Sequence, residues 1–175
     1  MTTPIVSAIV VNWNGGAMLQ DALASLFVQT WPALEVILVD NASTDGSVEQ
    51  AERCFGNKLV VIRNAKNEGF ARGNNVGFEA AKGDWIFLLN SDAVCDPNVI
   101  AELMRFVADK PDVGQLACRV VQADQPSFFD SVGLLLYPDG VSRSRGWQER
   151  DQGQYDRAEE TTDYQGNPDN DVHGL

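Results

Sequence analysis

The 175-residue sequence is poor in the side chains that build metal clusters, disulfide frameworks and hydrolytic triads. It contains one histidine, His173, and three widely separated cysteines without a CxxC pair. These counts argue against a zinc site, a disulfide scaffold and a Ser-His-Asp triad. Few cysteines and no disulfide pattern fit a reducing, cytoplasmic environment.

Long apolar runs and basic residues are also scarce. No run approaches the ~20 apolar residues that span a bilayer, and the N-terminus lacks the basic region of a signal peptide, so we expect no membrane span in this chain. The net charge is −12, with 13 Lys and Arg against 25 Asp and Glu, which argues against nucleic-acid binding. Half of that charge lies in residues 147–175 and says little about the rest of the chain.

Three common nucleotide and hydrolase motifs are missing as well. No GxGxxG follows the first predicted strand, and neither GxxxxGK[ST] nor GxSxG occurs. Their absence weakens a dinucleotide-binding interpretation and excludes a P-loop and a nucleophile elbow. The remaining composition, 44% hydrophobic and 22% charged, is that of an ordinary globular domain.

The hydrophobic pattern alternates between strands and helices. The predicted strands are Ile5–Val11, Leu34–Val39, Leu59–Ile62, Trp85–Leu89 and Val113–Val121. The predicted helices are Met18–Val28, Ser47–Cys54 with a Ser47–Gln50 capping box, Phe70–Ala81, and one from Pro97 to Ala108 with Asp96 as N-cap. This alternation predicts an α/β fold with a mostly parallel sheet flanked by helices.

The pattern loosens after about residue 122. A strand over Ser131–Tyr137 and a turn at Pro138-Asp139-Gly140 are expected there. From Trp147 onward only six of 29 residues are hydrophobic, which indicates a loop or a partly disordered end. We therefore predict an α/β domain over residues 1–122 and a second region over residues 123–175.

Polar side chains gather in the loops that follow the predicted strands. Right-handed crossovers bring the loops 12–16, 40–46, 64–69 and 90–96 to one edge of the sheet, where ligands of open α/β sheets bind. The strand Trp85–Leu89, an unbroken apolar run, is expected to be buried on both faces. It delivers Asn90 and Asp92, two residues apart and pointing the same way, as oxygen ligands suited to a divalent cation.

Other side chains of these loops have two interpretations each. Asp40 could accept hydrogen bonds from a base or a ribose, or serve a local Asx-turn. Arg72 could hold a diphosphate with its guanidinium fork, or pair weakly with Glu68 on the surface. Asp92 could cap the turn into the next helix, although Asp96 already occupies that position. Gly73 and Gly77 cost helix propensity, about 1 kcal/mol each, unless close packing or ligand approach requires them.

Four segments, taken in order, resemble the family 2 glycosyltransferases of GT-A fold. They are Ser7–Asn14, Val39–Ser47, Asn67–Asn75 and Phe87–Asp92. The likeness is greatest to the rhamnosyltransferase-like branch that acts on cell-surface polysaccharides. It implies metal-dependent, inverting transfer of a sugar, rhamnose in that branch, from a dTDP- or UDP-linked donor to a saccharide or lipid-linked acceptor. A cytoplasmic protein, peripheral at the inner face of the membrane, would follow.

The resemblance also implies residue roles. Val11 and Asn12 would lie along the nucleoside, Asp40 would read the base or ribose, and Arg72 and Asn75 would lie near the ribose and diphosphate. The triplet Asn90-Ser91-Asp92 matches the metal motif of the family, which usually carries Asp at both ends. Asp92 would be the principal ligand of Mg²⁺ or Mn²⁺, with Asn90 as a neutral second ligand.

The family's general base lies in a second half that follows a Gly-rich segment, and it is expected beyond Leu175. Residues 1–122 would then be the nucleotide-sugar-binding domain of an apparently truncated chain, and 123–175 the start of the acceptor side. We expect donor binding but little or no transfer by this chain alone, so that it would be inactive by itself. Two alternatives stay open: a degenerate nucleotide-binding or scaffold domain, and a nucleotidyltransferase of similar fold. The second fits less well, because Asn12–Gly16 has two glycines and no Lys or Arg.

Overall fold

The computed structural model describes residues 2–137 and 141–157 and divides the chain into two compact units. The first unit ends at Pro111 and the second begins at Asp112. The domain boundary predicted after residue 122 therefore lies eleven residues beyond the observed division. The functions predicted for the two parts of the chain stay predictions.

The first unit alternates strands and helices as the sequence predicts. Its strands are β1 (Val6–Asn12), β2 (Leu34–Asp40), β3 (Leu59–Arg63) and β4 (Trp85–Asn90). Its helices are α1 (Gly16–Phe27), α2 (Ser47–Phe55), α3 (Phe70–Ala80) and α4 (Val99–Val107), and a 3₁₀ turn, Gly56–Lys58, precedes β3. None of the described helices is both long and apolar enough to cross a membrane.

The four strands form one sheet in the order β3-β2-β1-β4, and every pairing is parallel. The predicted parallel sheet is thus confirmed. The register aligns Asn12 with Asp40 and Val11 with Asn90. Because parallel strands have their carboxyl ends at the same edge of the sheet, the polar residues that follow β1, β2 and β4 lie along that edge.

Two hydrophobic layers cover the sheet because the side chains of a strand alternate between its faces. On one face Val10 and Leu38 pack among residues of α1, α2 and α4. On the other face Ile9, Ile37 and Val39 lie beneath α3. Most side chains of the two central strands are buried, and the exceptions, Val11, Leu34 and Glu35, are partly buried, so the ends of β1 and β2 are held rigidly.

Helix α3 approaches the sheet closely through Gly73 and Gly77, both buried. A Cβ added to Gly77 would lie 2.5 Å from Ile9 Cγ2, and one added to Gly73 would lie 2.7 Å from Val11 Cγ1. No real side chain tolerates such separations, so close packing is what requires these two glycines. The gain in packing offsets their poor helix propensity.

The expectation that β4 is buried on both faces is wrong. Leu88 is 54% exposed and Asn90 is also exposed. The physical reason is the position of β4 at the end of the strand order, where among described strands it pairs only with β1. Helix α3 covers β1 and β2 instead, so Leu88 and Asn90 stay accessible, whereas Ile86 packs against the core.

Two predicted helix starts are also wrong in detail. No side-chain cap hydrogen bond precedes α2; Asp45 Oδ1 accepts the Ser47 N–H at 3.1 Å, and the capping box does not form. Helix α4 begins at Val99, because Asp96 Oδ1 accepts the Asn98 N–H at 2.8 Å in a turn that precedes the helix.

The described residues of the second unit form two small antiparallel sheets. One pairs β5 (Val120–Val121) with β6 (Phe129–Ser131), and the other pairs β7 (Leu134–Leu136) with β8 (Ser142–Ser144). Of the predicted fifth strand, Val113–Val121, only the last two residues form a strand, and they pair with β6 in antiparallel orientation. The single strand predicted over Ser131–Tyr137 is interrupted at Gly133, whose φ of 130° breaks the extended conformation.

The tail of the second unit matches its prediction only in part. Residues 147–157 contain turns and a single bridge residue, Arg150, as a loop prediction implies. Phe129 of β6 is fully buried, and its ring meets the Tyr155 ring edge-on with the ring centroids 5.4 Å apart, so this part of the loop is packed against β6. The turn predicted at 138–140 and the tail after residue 157 lie outside the described residues.

Candidate functional site

An open cavity of 360 Å³ lies at the carboxyl edge of the sheet. It is lined by Val11, Phe70, Asn90, Ser91 and Asp92. Four of these five residues belong to the site predicted from sequence. The end of β1, the start of α3 and the triplet after β4 thus come together, whereas Asn12, Asp40, Arg72 and Asn75 do not line this cavity.

Asp92 and Asn90 offer free oxygen atoms to the cavity. Both side chains are exposed, and neither makes a hydrogen bond or ion pair with another described residue. Asn90 holds the local turn through its main-chain carbonyl, which accepts the Ala93 N–H at 3.1 Å. The interpretation of Asp92 as a turn cap is not supported by any contact of its carboxylate.

The donor set fits a cation that is shared with a ligand. Among the described residues no three His, Cys, Asp or Glu side chains converge on one point. A cation at Asp92 would therefore take one carboxylate, one amide oxygen from Asn90, and otherwise water or phosphate oxygens. Mg²⁺ and similar ions are commonly held in this way, by one or two carboxylates plus substrate phosphates.

Asp40 is a buried carboxylate with one oxygen in use. It is 5% exposed, and its Oδ1 accepts the Ser43 N–H at 3.1 Å. Its Oδ2 has no hydrogen-bond partner among residues 2–137 and 141–157. Oδ2 is not among the buried side-chain atoms that lack a partner in the described part of the chain, so it reaches the surface and can accept a hydrogen bond from a ligand. The local turn and the ligand contact are thus compatible roles of one side chain.

Asn12 organises the loops from inside. It is fully buried, and its Nδ2 donates to the hydroxyls of Ser43 and Ser47 at 3.0 and 3.1 Å. Its Oδ1 accepts the Gly15 N–H at 3.1 Å. Because both polar atoms are engaged within the protein, the observed role of this side chain is to position the loops after β1 and β2. Its contact with a nucleoside stays a prediction.

Arg72 and Asn75 lie exposed on α3. The nearest acid to Arg72 is Glu79, with Nη1 and Oε1 3.9 Å apart, rather than Glu68, which pairs with Lys66 at 3.6 Å. Exposed ion pairs of this length hold a side chain weakly. Arg72 can therefore reorient toward an anion at the start of α3, and the roles of both residues stay predictions.

Sequence reasoning missed Asn41 as a brace between loops. This side chain is 2% exposed; its Nδ2 donates to the Gly69 carbonyl at 3.2 Å, and its Oδ1 accepts from Asn64 Nδ2 at 2.8 Å. It therefore joins the loops after β2 and β3 to the start of α3. Its position directly after a buried strand was the available signal.

A second brace joins the loops after β1 and β2. Asn14, in the left-handed region with φ 55°, accepts the Thr44 N–H at 2.8 Å. Asp45 accepts the Gly16 N–H at 2.9 Å and the Ser47 hydroxyl at 2.6 Å. The hydrogen bond from Ser47 lowers the pKa of Asp45 below its ordinary value, although desolvation opposes the shift. These contacts hold the site edge in one conformation before any ligand binds.

Phe70 is the cavity residue that the sequence reasoning did not select. It is the first residue of α3, and it is 61% exposed although large and apolar. Gly69, with φ 82°, turns the chain immediately before it. The signal in the sequence was an aromatic residue directly after a glycine at a helix start. It immediately follows the loop 64–69, which the sequence analysis assigns to the site.

Comparisons with known proteins agree with this geometry. The family model described as "Glycosyl transferase family 2" matches residues 7–162. The putative glycosyltransferase EpsH of Bacillus subtilis is 33% identical over 115 residues, which cover 65% of this chain and 33% of that protein. The uncharacterised glycosyltransferase YibD of Escherichia coli is 33% identical over 160 residues, which cover 83% of this chain and 46% of YibD.

A solved structure extends the likeness to the fold. The mannosyltransferase PcManGT of Pyrobaculum calidifontis, in complex with GDP-Man and Mn²⁺, superposes with a TM-score of 0.63 at 27% identity. The match covers 70% of this chain and 37% of PcManGT. It confirms the predicted fold class, an α/β nucleotide-diphospho-sugar transferase fold of GT-A type.

The matched relatives are longer than this chain, which spans between a third and a half of their length. The expectation that this chain alone is inactive is not borne out by the comparisons. The matching family model and both relatives described above are glycosyltransferases. The family model covers most of the sequence and includes the parallel sheet, apart from Val6, together with its polar edge. The chain belongs to glycosyl transferase family 2.

Proposed function

We propose that this chain binds a nucleotide-diphosphate sugar along the carboxyl edge of its sheet and serves a glycosyltransferase reaction. The observation that carries the proposal is the alignment of Asp40, Val11 and Asp92 at or just beyond the ends of three neighbouring strands. Strands β2 and β4 flank β1, so they lie roughly 10 Å apart. A nucleoside diphosphate can bridge that distance.

Each part of the donor then has a partner of suitable chemistry. The base or ribose donates to the free Oδ2 of Asp40, and the nucleoside lies along Val11 and Asn12. The diphosphate reaches the triplet Asn90-Ser91-Asp92, with Arg72 and Asn75 at its side. The buried carboxylate favours neutral donors, whereas the exposed Asp92 requires a cation between itself and a phosphate.

The cation in this proposal is Mg²⁺ or Mn²⁺, and its principal protein ligand is Asp92. Bound there, it would neutralise the charge that develops on the leaving diphosphate. The free carboxylate of Asp92 and the neighbouring amide of Asn90 support this assignment. The presence of GDP-Man and Mn²⁺ in the PcManGT structure supports it independently.

The finer points of the reaction follow from the resemblance of the motifs. We propose inverting transfer, a dTDP- or UDP-linked donor, rhamnose as the sugar and a saccharide or lipid-linked acceptor. The rhamnosyltransferase-like branch and a location at the cytoplasmic face of the membrane belong to the same proposal. The general base that would activate the acceptor is not assigned to any described residue.

Calorimetric titration of the 175-residue chain with UDP, dTDP and GDP, with and without Mn²⁺, tests the proposal. We expect at least one nucleotide to bind in the presence of Mn²⁺, and Asp92→Asn to weaken that binding more than tenfold, because a direct cation contact contributes several kcal/mol. Asp109→Asn is the matched control, since Asp109 is exposed and distant in sequence from the cavity loops. Failure of every nucleotide to bind the wild-type chain would refute the proposal.

A further inference from the structure

The structure leaves two phenylalanines of α3 similarly exposed, and only one of them lines the cavity. Phe70 is 61% exposed and Phe78 is 64% exposed. Phe70 shares the cavity with Val11 and the triplet after β4. Phe78 lies about two helical turns further along α3, roughly 12 Å away along the axis. A large exposed apolar side chain costs solvation free energy, so its presence at a ligand cavity calls for an explanation in terms of that ligand.

The cavity has one apolar part and one polar part. Val11 and Phe70 supply the apolar part, while Asn90, Ser91 and Asp92 supply hydrogen-bonding and charged groups. Small-molecule sites are typically built in this way, with apolar contact for affinity and a few polar groups for orientation. Phe70 cannot coordinate a cation or hydrogen-bond a phosphate, so its partner in a ligand must be an apolar surface.

The rigidity of this part of the cavity supports a recognition role. Gly69 directly before Phe70 is tied to the Asn41 amide, and Gly73 one turn later packs against Val11. The backbone on both sides of Phe70 is therefore fixed to the sheet. An aromatic side chain has only two rotatable side-chain bonds, so little conformational entropy is lost when a ligand packs on it.

We infer that Phe70 is an affinity-determining residue whose ring packs against the nucleoside of the donor. This inference rests on the proposed function, in which the base edge lies at Asp40 and the diphosphate at Asp92. A ligand running between those two carboxylates passes Val11, on the strand between them, with its nucleoside. Phe70 shares the cavity with Val11, so the flat face of the base or ribose is the apolar surface it meets.

Three ligands measured on three proteins test the assignment. The proteins are the wild-type chain, Phe70→Ala and Phe78→Ala; the ligands are the nucleoside diphosphate that binds best, the corresponding nucleotide sugar, and inorganic pyrophosphate, all with Mn²⁺. We expect Phe70→Ala to weaken the first two by the same factor, about 10- to 100-fold, as for other stacked bases. Binding of pyrophosphate by Phe70→Ala and binding of all three ligands by Phe78→Ala should be unchanged.

Each other outcome overturns the assignment. A loss confined to the nucleotide sugar would place the transferred sugar, rather than the nucleoside, on Phe70. An equal loss with pyrophosphate, or an equal loss in Phe78→Ala, would indicate a general disturbance of α3. If the wild type binds nucleotide and Phe70→Ala binds it equally well, the role of Phe70 is refuted but the proposed function is not. If the wild type binds no nucleotide, the proposed function is refuted as well. Phe70→Leu, which keeps apolar volume, should recover part of the affinity if the first variant folds poorly.

Discussion

The side chain of Asn12 donates a hydrogen bond to the Ser47 hydroxyl at 3.1 Å and so joins the end of β1 to the first turn of α2. Both residues are buried, and the same amide also holds Ser43. The contact explains how a loop without regular structure keeps one conformation at the edge of the sheet. Asn12 is therefore one of the residues that brace the loops at this edge, in contrast to the residues that line the cavity.

Replacing Asn12 with Ala should destabilise the fold. The substitution removes three hydrogen bonds and leaves the Gly15 N–H without its acceptor, which should lower the free energy of unfolding by about 2 kcal/mol. Urea unfolding followed by circular dichroism measures the change. Asn57→Ala, at an exposed asparagine whose side chain makes no hydrogen bond with the described residues, should stay within about 0.5 kcal/mol of wild type. Equal stability of the two variants would contradict the bracing role.

Gly77→Ala should also destabilise the chain, although Ala is the better helix former by about 1 kcal/mol. Its Cβ would press on the stiff, β-branched side chain of Ile9 at 2.5 Å. Overpacking of this kind costs about 1–3 kcal/mol. Gly114→Ala is the control, because a Cβ there meets no atom within 4 Å. Thermal unfolding compares them, and a stabilised Gly77→Ala would show that α3 is free to move away from the sheet.

Asp45 should make stability depend on pH in the acid range. The Ser47 hydroxyl lowers the pKa of Asp45 in the folded state below its ordinary 3.8. The folded state therefore binds the proton less readily, and this contribution to stability is complete above the ordinary pKa and is lost as the pH falls through the folded one.

The test is the urea midpoint measured from about pH 5 to about pH 2. Wild type should lose more stability over this range than Asp45→Asn, which cannot titrate at that position. Asp109→Asn, at an exposed aspartate without a hydrogen bond among the described residues, should follow the wild-type curve. Parallel curves for wild type and Asp45→Asn would contradict the prediction.

Asp40→Asn should reduce nucleotide affinity while the fold persists. Asn keeps an oxygen that can accept the Ser43 N–H, but it loses the charge that strengthens a hydrogen bond from a base or ribose. Hydrogen bonds to charged groups contribute about 1.5–3 kcal/mol, so a loss of tenfold or more in affinity is expected. Calorimetry measures it, with Asp21→Asn on the exposed face of α1 as the control for net charge. Unchanged affinity would remove Asp40 from the donor site.

Asn90→Asp should strengthen the cation site, because it adds a second carboxylate beside Asp92. Affinity of oxygen-ligand sites rises with the number of charged ligands, and we expect the Mn²⁺ concentration for half-saturation with nucleotide to fall by about tenfold. Electron paramagnetic resonance of free Mn²⁺ reports it directly. Asn98→Asp adds the same charge outside the cavity and should leave the value unchanged. Weaker binding in Asn90→Asp would mean that Asn90 and Asp92 do not share one ion.

Much of the fold was predictable because it depends on local pattern. The segments that form β1 and β2 are dense in β-forming residues, α1 has helical spacing, and the alternation of such segments along the chain implies parallel pairing. The detail of helix starts was not predictable in the same way. Asp96 and Ser47 carry good capping chemistry, yet the first bonds with Asn98 and the second with Asp45, and sequence spacing cannot rank such competing local turns.

Some features of the candidate site were likewise predictable from the sequence, and others were not. The sequence alone predicted a ligand site in the loops that follow the strands, and it led to the triplet Asn90-Ser91-Asp92, because polar residues directly after an apolar run mark a strand end. The burial of Asn12 and the position of Phe70 at the cavity depend on the three-dimensional packing of the loops. The reason is physical: neighbouring groups that hydrogen-bond to or pack on a side chain decide whether it is engaged within the protein or available to a ligand. Those neighbours, such as Ser43 for Asn12 and Val11 beside Phe70, come from strands and loops that are distant in sequence.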